Sequence, residues 1–270
     1  MEKEKPHLSP SQLNSYFRCG EAYRRRYIEK QIIPPAFAML KGGAVHVAAE
    51  ENFKQKIETH EDLSVKQIVE CAAAAFEGKI KAEGVLLSEE ERTRGQKIVK
   101  GEFLDSTVTS ATILATDVCP KRQPTAVEEK VRLELPESPY DLLGVLDLIL
   151  PDGIQDLKNT GKKLGQTDID GNPQFTTYAA LYYAKFKKPA LRIIVDNIIH
   201  RPGSKQAADY QELMTERTKP DFDALAARIN AAIKGILAGV FTPATPGAWW
   251  CSKKSCGFFA SCKFTREGNI

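Results

Sequence analysis

With 270 residues, 42% hydrophobic and 27% charged, the chain has the balance of an ordinary globular protein and length for one large domain or two small ones. No apolar run is long enough to span a bilayer, and the opening Met-Glu-Lys-Glu-Lys-Pro carries no signal-peptide core, so a membrane-spanning or exported reading is set aside and a cytoplasmic protein is expected. The formal net charge of +3 favours an anionic partner only weakly.

Ser9-Pro10-Ser11-Gln12 reads as a helix start, with Ser9 as N-cap, Pro10 at the first helical position and Gln12 closing a capping box. The helix is expected to pass Phe17, with a second turn or helix from Cys19 to Tyr27 and a break at Pro34-Pro35. Helices are predicted over about 41–58, 62–83 and 88–115, so residues from about 8 to 118 form a mainly helical part. Residues 125–200 read differently. Ala126 to Leu135 alternates as a strand, Leu142 to Leu150 is a nearly continuous apolar run suited to a buried strand, and Ile154 to Lys158 resumes as another. A polar loop from Asn159 to Asn172, a helix over 173–187 and a strand from Leu191 to His200 follow. A last helix over 219–239 leads past Pro243 and Pro246 into a compact Cys-rich tail. No internal repeat interrupts this order, and a single domain over 1–270 is expected.

Acids and a lysine in strongly apolar strands are costly to bury without a partner. Asp147 stands in the first strand of the central pair, and Asp156 and Lys158 stand in the second. Pro151-Asp152 as a two-residue loop would pair Leu150 with Gly153 and set Asp147 opposite Asp156, with Lys158 two residues on along the same face. A three-residue loop with a glycine bulge would shift the register by one and turn Asp147 away. Two close carboxylates repel when both are ionised, and a bound Mg²⁺ or Mn²⁺ removes that penalty. Such a metal polarises a phosphate and lowers the pKa of a bound water, while Lys158 orients the water or stabilises charge on the phosphate. The set points to a metal-dependent nuclease; the plain alternative is a pair of strand-edge charges and a solvated turn neighbour.

His46 and Glu50 are four apart on a predicted helix and share a face, so an imidazole can join the carboxylates around a metal or serve structure alone. Gln174 and Tyr178 likewise share a helical face and could hold a phosphate or a nucleotide, or be a capping glutamine and a core tyrosine. Glu128 or Glu129, on the preceding strand, is a candidate for a supporting contact. Arg24-Arg25-Arg26 and the pair Lys162 and Lys163 could track a phosphate backbone or simply be solvated. Of six cysteines, Cys251, Cys256 and Cys262 fall within twelve residues and call for a fourth partner in a tetrahedral site or an iron–sulfur cluster, with Cys19 the best candidate. Nearby lysines would lower their thiol pKa values. Cys71 reads as core and Cys119 as a loop thiol.

The order of these residues resembles the RecB-like branch of the PD-(D/E)XK nuclease superfamily, which includes the AddB nuclease domain, the CRISPR-associated RecB-like exonucleases and many phage exonucleases. The matching segments are Leu8–Leu13 through Cys19 and Tyr27, Gly43–Glu50 with His46, Gly144–Asp147, Asp156-Leu157-Lys158 and Gln174–Tyr178. The resemblance implies an α/β, restriction-endonuclease-like core, a mixed β-sheet flanked by helices. It implies His46, Asp147, Asp156 and the main-chain carbonyl of Leu157 as metal ligands, and Lys158 as the catalytic lysine. It further implies a [4Fe–4S] cluster on Cys19, Cys251, Cys256 and Cys262, although four residues separate Cys251 from Cys256 where the family pattern has two; zinc or no metal remains open there. The function so implied is a Mg²⁺- or Mn²⁺-dependent DNA exonuclease on single-stranded ends, in recombination, repair or phage DNA metabolism. A helicase, a recombinase or a CRISPR-adaptation complex would be its partner. An endonuclease on the same fold, or a DNA-binding assembly subunit with a structural cluster, is the alternative.

Overall fold

A computed structural model describes residues 5–265; the first four residues and the last five lie outside the described residues. A mixed six-stranded sheet stands between two layers of helices. In chain order the elements are β1 (His7–Leu8), α1 (Pro10–Arg18), α2 (Gly20–Tyr23), α3 (Phe37–Thr59), α4 (Val65–Glu83), α5 (Glu89–Arg94) and α6 (Gln96–Ile113). Then come β2 (Ala126–Leu133), β3 (Asp141–Leu150), β4 (Gly153–Thr160), α7 (Gln166–Asp170), α8 (Pro173–Phe186), β5 (Arg192–Ile199), β6 (Asp209–Thr215) and α9 (Lys219–Leu237). This is the expected mixed sheet flanked by helices. No helix among the described residues is long and apolar enough to cross a membrane.

Helix starts follow local chemistry. The Ser9 hydroxyl accepts from Gln12 N and the Gln12 side chain accepts from Ser9 N at 2.8 Å, closing the predicted box on α1. Ser64 with Gln67 and Ser88 with Glu91 do the same for α4 and α5. The stretch expected as one helix over 88–115 is two, because Gly95 takes φ +89° and breaks it. The expected polar loop over 159–172 contains the short α7. The sequence reading also passed over β6, whose Asp-Tyr-Gln-Glu-Leu-Met-Thr is polar because it is a half-exposed edge strand.

The sheet runs β1-β3-β4-β5-β6, with β2 on the other edge of β3. β2 pairs antiparallel with β3 from Leu142 to Ile149. On its opposite edge β3 meets β4 only at Leu148 to Leu150 and β1 only at Asp141 and Leu142. Among the described residues, 143–147 of β3 therefore have no strand neighbour on that edge, which opens a notch where β4 splays away. One sheet face packs Leu142, Leu146, Ile154 and Val195 against α1, α8 and α9 through Leu13, Phe175, Tyr182 and Ile233. The other packs Leu148, Leu157 and Ile198 against α3, α4 and α6 through Val45, Phe53, Ala72 and Ala111. The notch thus opens between the two helical layers.

Candidate metal centre

The hairpin register is the two-residue-loop one: Leu150 pairs with Gly153 and Leu148 with Gln155. The next pair in that series would be Asp147 and Asp156, but the ladder stops before it. The Asp147 carboxylate instead accepts the Leu157 N–H at 2.9 Å, taking the place of a strand carbonyl at the fork. In an extended strand the N–H and C=O of one residue project to the same side. The Leu157 carbonyl therefore faces the notch with its N–H.

Three elements converge on this fork. His46 comes from α3, Asp147 from β3 and Glu128 from β2. His46 Nδ1 lies 3.7 Å from Asp147 Oδ2 and 3.9 Å from Glu128 Oε1. One donor atom from each lies within 4.8 Å of the others, the one such group among the described residues. Glu128 is reached through backbone strain: its φ is +47° in mid-strand. The β2–β3 ladder pairs Val127 with Leu148 and Glu129 with Leu146, and skips Glu128 opposite Asp147. A non-glycine left-handed residue costs of order ~1–3 kcal/mol and persists only where its surroundings over-determine it. Glu129 turns to the other side and ion-pairs with Lys185.

Asp156 is 1% exposed. Lys158 Nζ lies 3.1 Å from Asp156 Oδ1 and 2.9 Å from Oδ2, but Oδ2 accepts no well-directed hydrogen bond. The ammonium also donates to Gln174 Oε1 at 3.2 Å, and Gln174 Nε2 donates to the Tyr178 hydroxyl at 2.8 Å. Gln174 is presented by the first turn of α8, where the Asn172 side chain caps its N–H. Burial, with the negative Asp156 and Asp147 nearby, pushes the Tyr178 phenol up, so it stays a neutral hydroxyl.

The electrostatics record a shortage of positive charge. Burial and the neighbouring Asp156 push the Asp147 carboxyl up to about 7, against the pull of His46. For His46 burial works against protonation, but contact with Glu128 and the charges of Asp147, Asp156 and Glu128 outweigh it and raise the imidazole. Protons are retained where two carboxylates and an imidazole crowd together. His46, Glu128 and Asp147 could hold a hard divalent cation through two carboxylates and one imidazole, whereas Asp156, expected as a ligand, lies outside that group and keeps Lys158 beside it.

His46, Asp147, Asp156, Lys158, Gln174 and Tyr178 are thus gathered around one fork. Glu128 was underweighted in the sequence, where it shares a Glu-Glu pair with Glu129. Gln155 was missed. It lines the same cleft with His46, Glu50, Glu128 and Asp147, and its Oε1 is buried without a partner while its Nε2 donates to Asp196 at 2.8 Å. Glu50 ion-pairs with Lys54 at 2.6 Å. The basic residues named from the sequence differ in their partners. Arg24 and Arg25 both bind the buried Glu21, and Arg25 also donates to Ser261, so these two guanidinium groups serve the fold. Lys163 pairs with Asp209 at 3.0 Å, and Lys162 is exposed.

The six cysteines are unbridged. Cys19, Cys251, Cys256 and Cys262 share one locality, close enough that Cys19 and Cys262 act electrostatically on Cys251, and all three others act on Cys256. Burial raises the thiols of Cys251 and Cys256, opposite to the lowering expected from nearby lysines, because Lys253 and Lys254 turn outward to Glu89 and Glu90. Cys119, expected in a loop, is a buried core thiol pushed up to about 12 by burial and by Asp62.

No curated protein matches the sequence. A sequence model of the PD-(D/E)XK nuclease superfamily matches residues 7–263, nearly the whole described chain. With that match spanning both helical layers, the forked hairpin and the tail, the chain belongs to the PD-(D/E)XK nuclease superfamily of metal-dependent nucleases that act on DNA.

Proposed function

We propose that the protein is an exonuclease of the RecB-like branch, hydrolysing single-stranded DNA from an end. It would use one nuclease domain and a Mg²⁺ or Mn²⁺ ion held by His46, Asp147, Asp156, Glu128 and the Leu157 carbonyl. The observation that supports the nuclease chemistry in this reading is the fork itself, where a strained Glu128, a raised Asp147 and a raised His46 meet beside the Asp156–Lys158 pair. A divalent ion there supplies charge to polarise the scissile phosphate and a bound water of lowered pKa. The chain's own groups do the rest. Asp156 and Gln174 hold the Lys158 ammonium from two sides, so that its third proton is directed to a phosphate oxygen or to the attacking water. Tyr178 fixes Gln174 from behind, making it a positioning residue for the lysine.

A [4Fe–4S] cluster on Cys19, Cys251, Cys256 and Cys262 belongs to the same reading. Tetrahedral zinc with bonds of about 2.3 Å draws its sulfurs to within roughly 3.8 Å of each other. The four thiols are grouped closely enough to act on one another, which is the arrangement that either a polynuclear cluster or a single zinc requires. Unbridged thiols fit a reducing, cytoplasmic setting, and a helicase, recombinase or CRISPR-adaptation complex would be a natural partner.

The test compares linear end-labelled and circular single-stranded DNA with Mn²⁺, in wild type, Asp156→Ala and Lys158→Ala. Loss of linear DNA only, abolished in both variants, supports the exonuclease. Cleavage of circles establishes an endonuclease instead. Activity that survives both substitutions removes the fork from the mechanism.

A further inference from the structure

The C-terminal end of α1 and the tail form an aromatic and cationic patch apart from the metal centre. Phe17 and Arg18 are both exposed. The Arg18 guanidinium lies 5.5 Å from the ring centre of Trp249 and 5.3 Å from that of Trp250, and the two indoles meet edge to face at 5.7 Å. Trp250 Nε1 donates to the Arg18 carbonyl at 3.3 Å, which fixes the tail against the helix. On the other side of the helix end, the Arg228 guanidinium of α9 lies 4.1 Å over the Phe17 ring. Trp249 is nevertheless 67% exposed. Neither Arg18 nor Arg228 has a carboxylate partner among the described residues, unlike Arg24, Arg25 and Arg122.

Each half of the patch asks for a different complement. Guanidinium groups near aromatic rings and without a carboxylate partner fit phosphates, and an open indole face fits a flat apolar surface. Single-stranded DNA alternates the two at short intervals, whereas a duplex keeps its base faces stacked inside. The patch stands at the far end of a helix that starts beside the sheet. Pro10, at the start of α1, lies beside Gly144 of β3, three residues from Asp147. From there α1 carries the chain about 12 Å further to Arg18, at about 1.5 Å per residue.

We propose that Arg18 and Trp249, flanked by Trp250, Phe17 and Arg228, form a stacking platform that holds single-stranded DNA several nucleotides away from the scissile phosphate. This rests on the reading of the fork as a DNA-cleaving centre. Its consequence is that long substrates bind better than short ones for reasons the metal centre does not supply.

Trp249 and Trp250 are the only two tryptophans in the chain, so tryptophan fluorescence reports this patch alone. The full-length protein is titrated with a labelled dT oligonucleotide in chelator, following tryptophan emission and label anisotropy together, with Mn²⁺ cleavage of long and dinucleotide substrates alongside. Binding should quench the tryptophans. Trp249→Ala should weaken binding of the long strand about fivefold or more, Trp249→Phe should restore part of it, and dinucleotide cleavage should be unchanged. Arg18→Gln should reduce the slope of log affinity against log salt by about 0.7. Wild-type affinity in both Trp249→Ala and Arg18→Gln overturns the platform and leaves the nuclease intact. Absence of both binding and Mn²⁺ cleavage overturns the nuclease reading and the platform with it.

Discussion

The fork should bind a divalent ion in competition with protons, and its strength should follow the titration of Asp147. The Asp147 carboxyl is held up to about 7, and His46 is raised as well. With a midpoint near 7, Asp147 is about nine-tenths ionised at pH 8 and about one-tenth at pH 6. A ligand must be deprotonated to bind, so the Mn²⁺ affinity should fall about tenfold between those values from Asp147 alone. His46, raised as well, must also give up its proton, so the fall is steeper than Asp147 alone would give. The sign for stability runs the opposite way in the metal-free protein. Both groups bind protons more tightly folded than unfolded, so their contribution to stability is present in acid and lost as pH rises toward and through 7. Metal-free protein should therefore lose Tm from pH 6 to pH 8 through these groups, while Mn²⁺ raises Tm most at pH 8. Titration calorimetry in buffers of different ionisation enthalpy gives both the affinity and the protons released. An affinity flat from pH 6 to 8 with no proton release would refute the argument, since it would mean that neither Asp147 nor His46 touches the ion.

Other substitutions separate ligands from supports. Lys158→Met should lower kcat about a hundredfold or more while Mn²⁺ still binds, measured by single-turnover cleavage beside calorimetry. Glu128→Gln should weaken Mn²⁺ at least about tenfold, whereas Glu129→Gln, which breaks only the pair with Lys185, should leave it near wild type; equal effects would remove Glu128 from the centre. Gln174→Leu should reduce kcat more than Mn²⁺ affinity, because it frees the Lys158 ammonium without touching the metal donors. Asp196→Asn should destabilise the fold by about 3–5 kcal/mol in urea unfolding, because it breaks a buried pair with Arg122.

Much of the centre was legible because the sequence pays a visible penalty there. Asp147 and Asp156 interrupt apolar strands, and the Pro151-Asp152 turn set their register, as Leu150 opposite Gly153 confirms. The splay was not legible. Strand pairing predicts Asp147 opposite Asp156, but the carboxylate itself caps the Leu157 N–H, and only three dimensions show that β1 and β4 leave part of β3 bare between them. Glu128 was hidden for a related reason. Period-two alternation puts only one of Glu128 and Glu129 on a given face, but which one depends on a register that Glu128 itself disturbs with its positive φ. The same limit blurs β6, where an edge strand needs no continuous apolar face, and α5 and α6, where Gly95 separates two stretches of one helical pattern.

A buried charge in a strand is therefore an incomplete signal. Asp196 is as deeply buried as Asp156 and sits beside Leu157 in the next strand. Its oxygens, however, are closed off by Arg122 at 2.7 and 2.9 Å, by Tyr210 at 2.5 Å and by Gln155 at 2.8 Å. Those partners come from β4, β6 and the turn before β2, so both Asp196 oxygens find donors and the aspartate itself needs nothing from outside. At the fork the count does not close. Glu128, Asp147 and Asp156 face one lysine, His46 and Asp147 hold protons against their usual tendency, and Asp156 Oδ2 accepts no hydrogen bond. The two buried acids thus differ in the balance of partners that the fold delivers. That balance is what makes the fork, and not the equally buried Asp196, the group that could hold a cation.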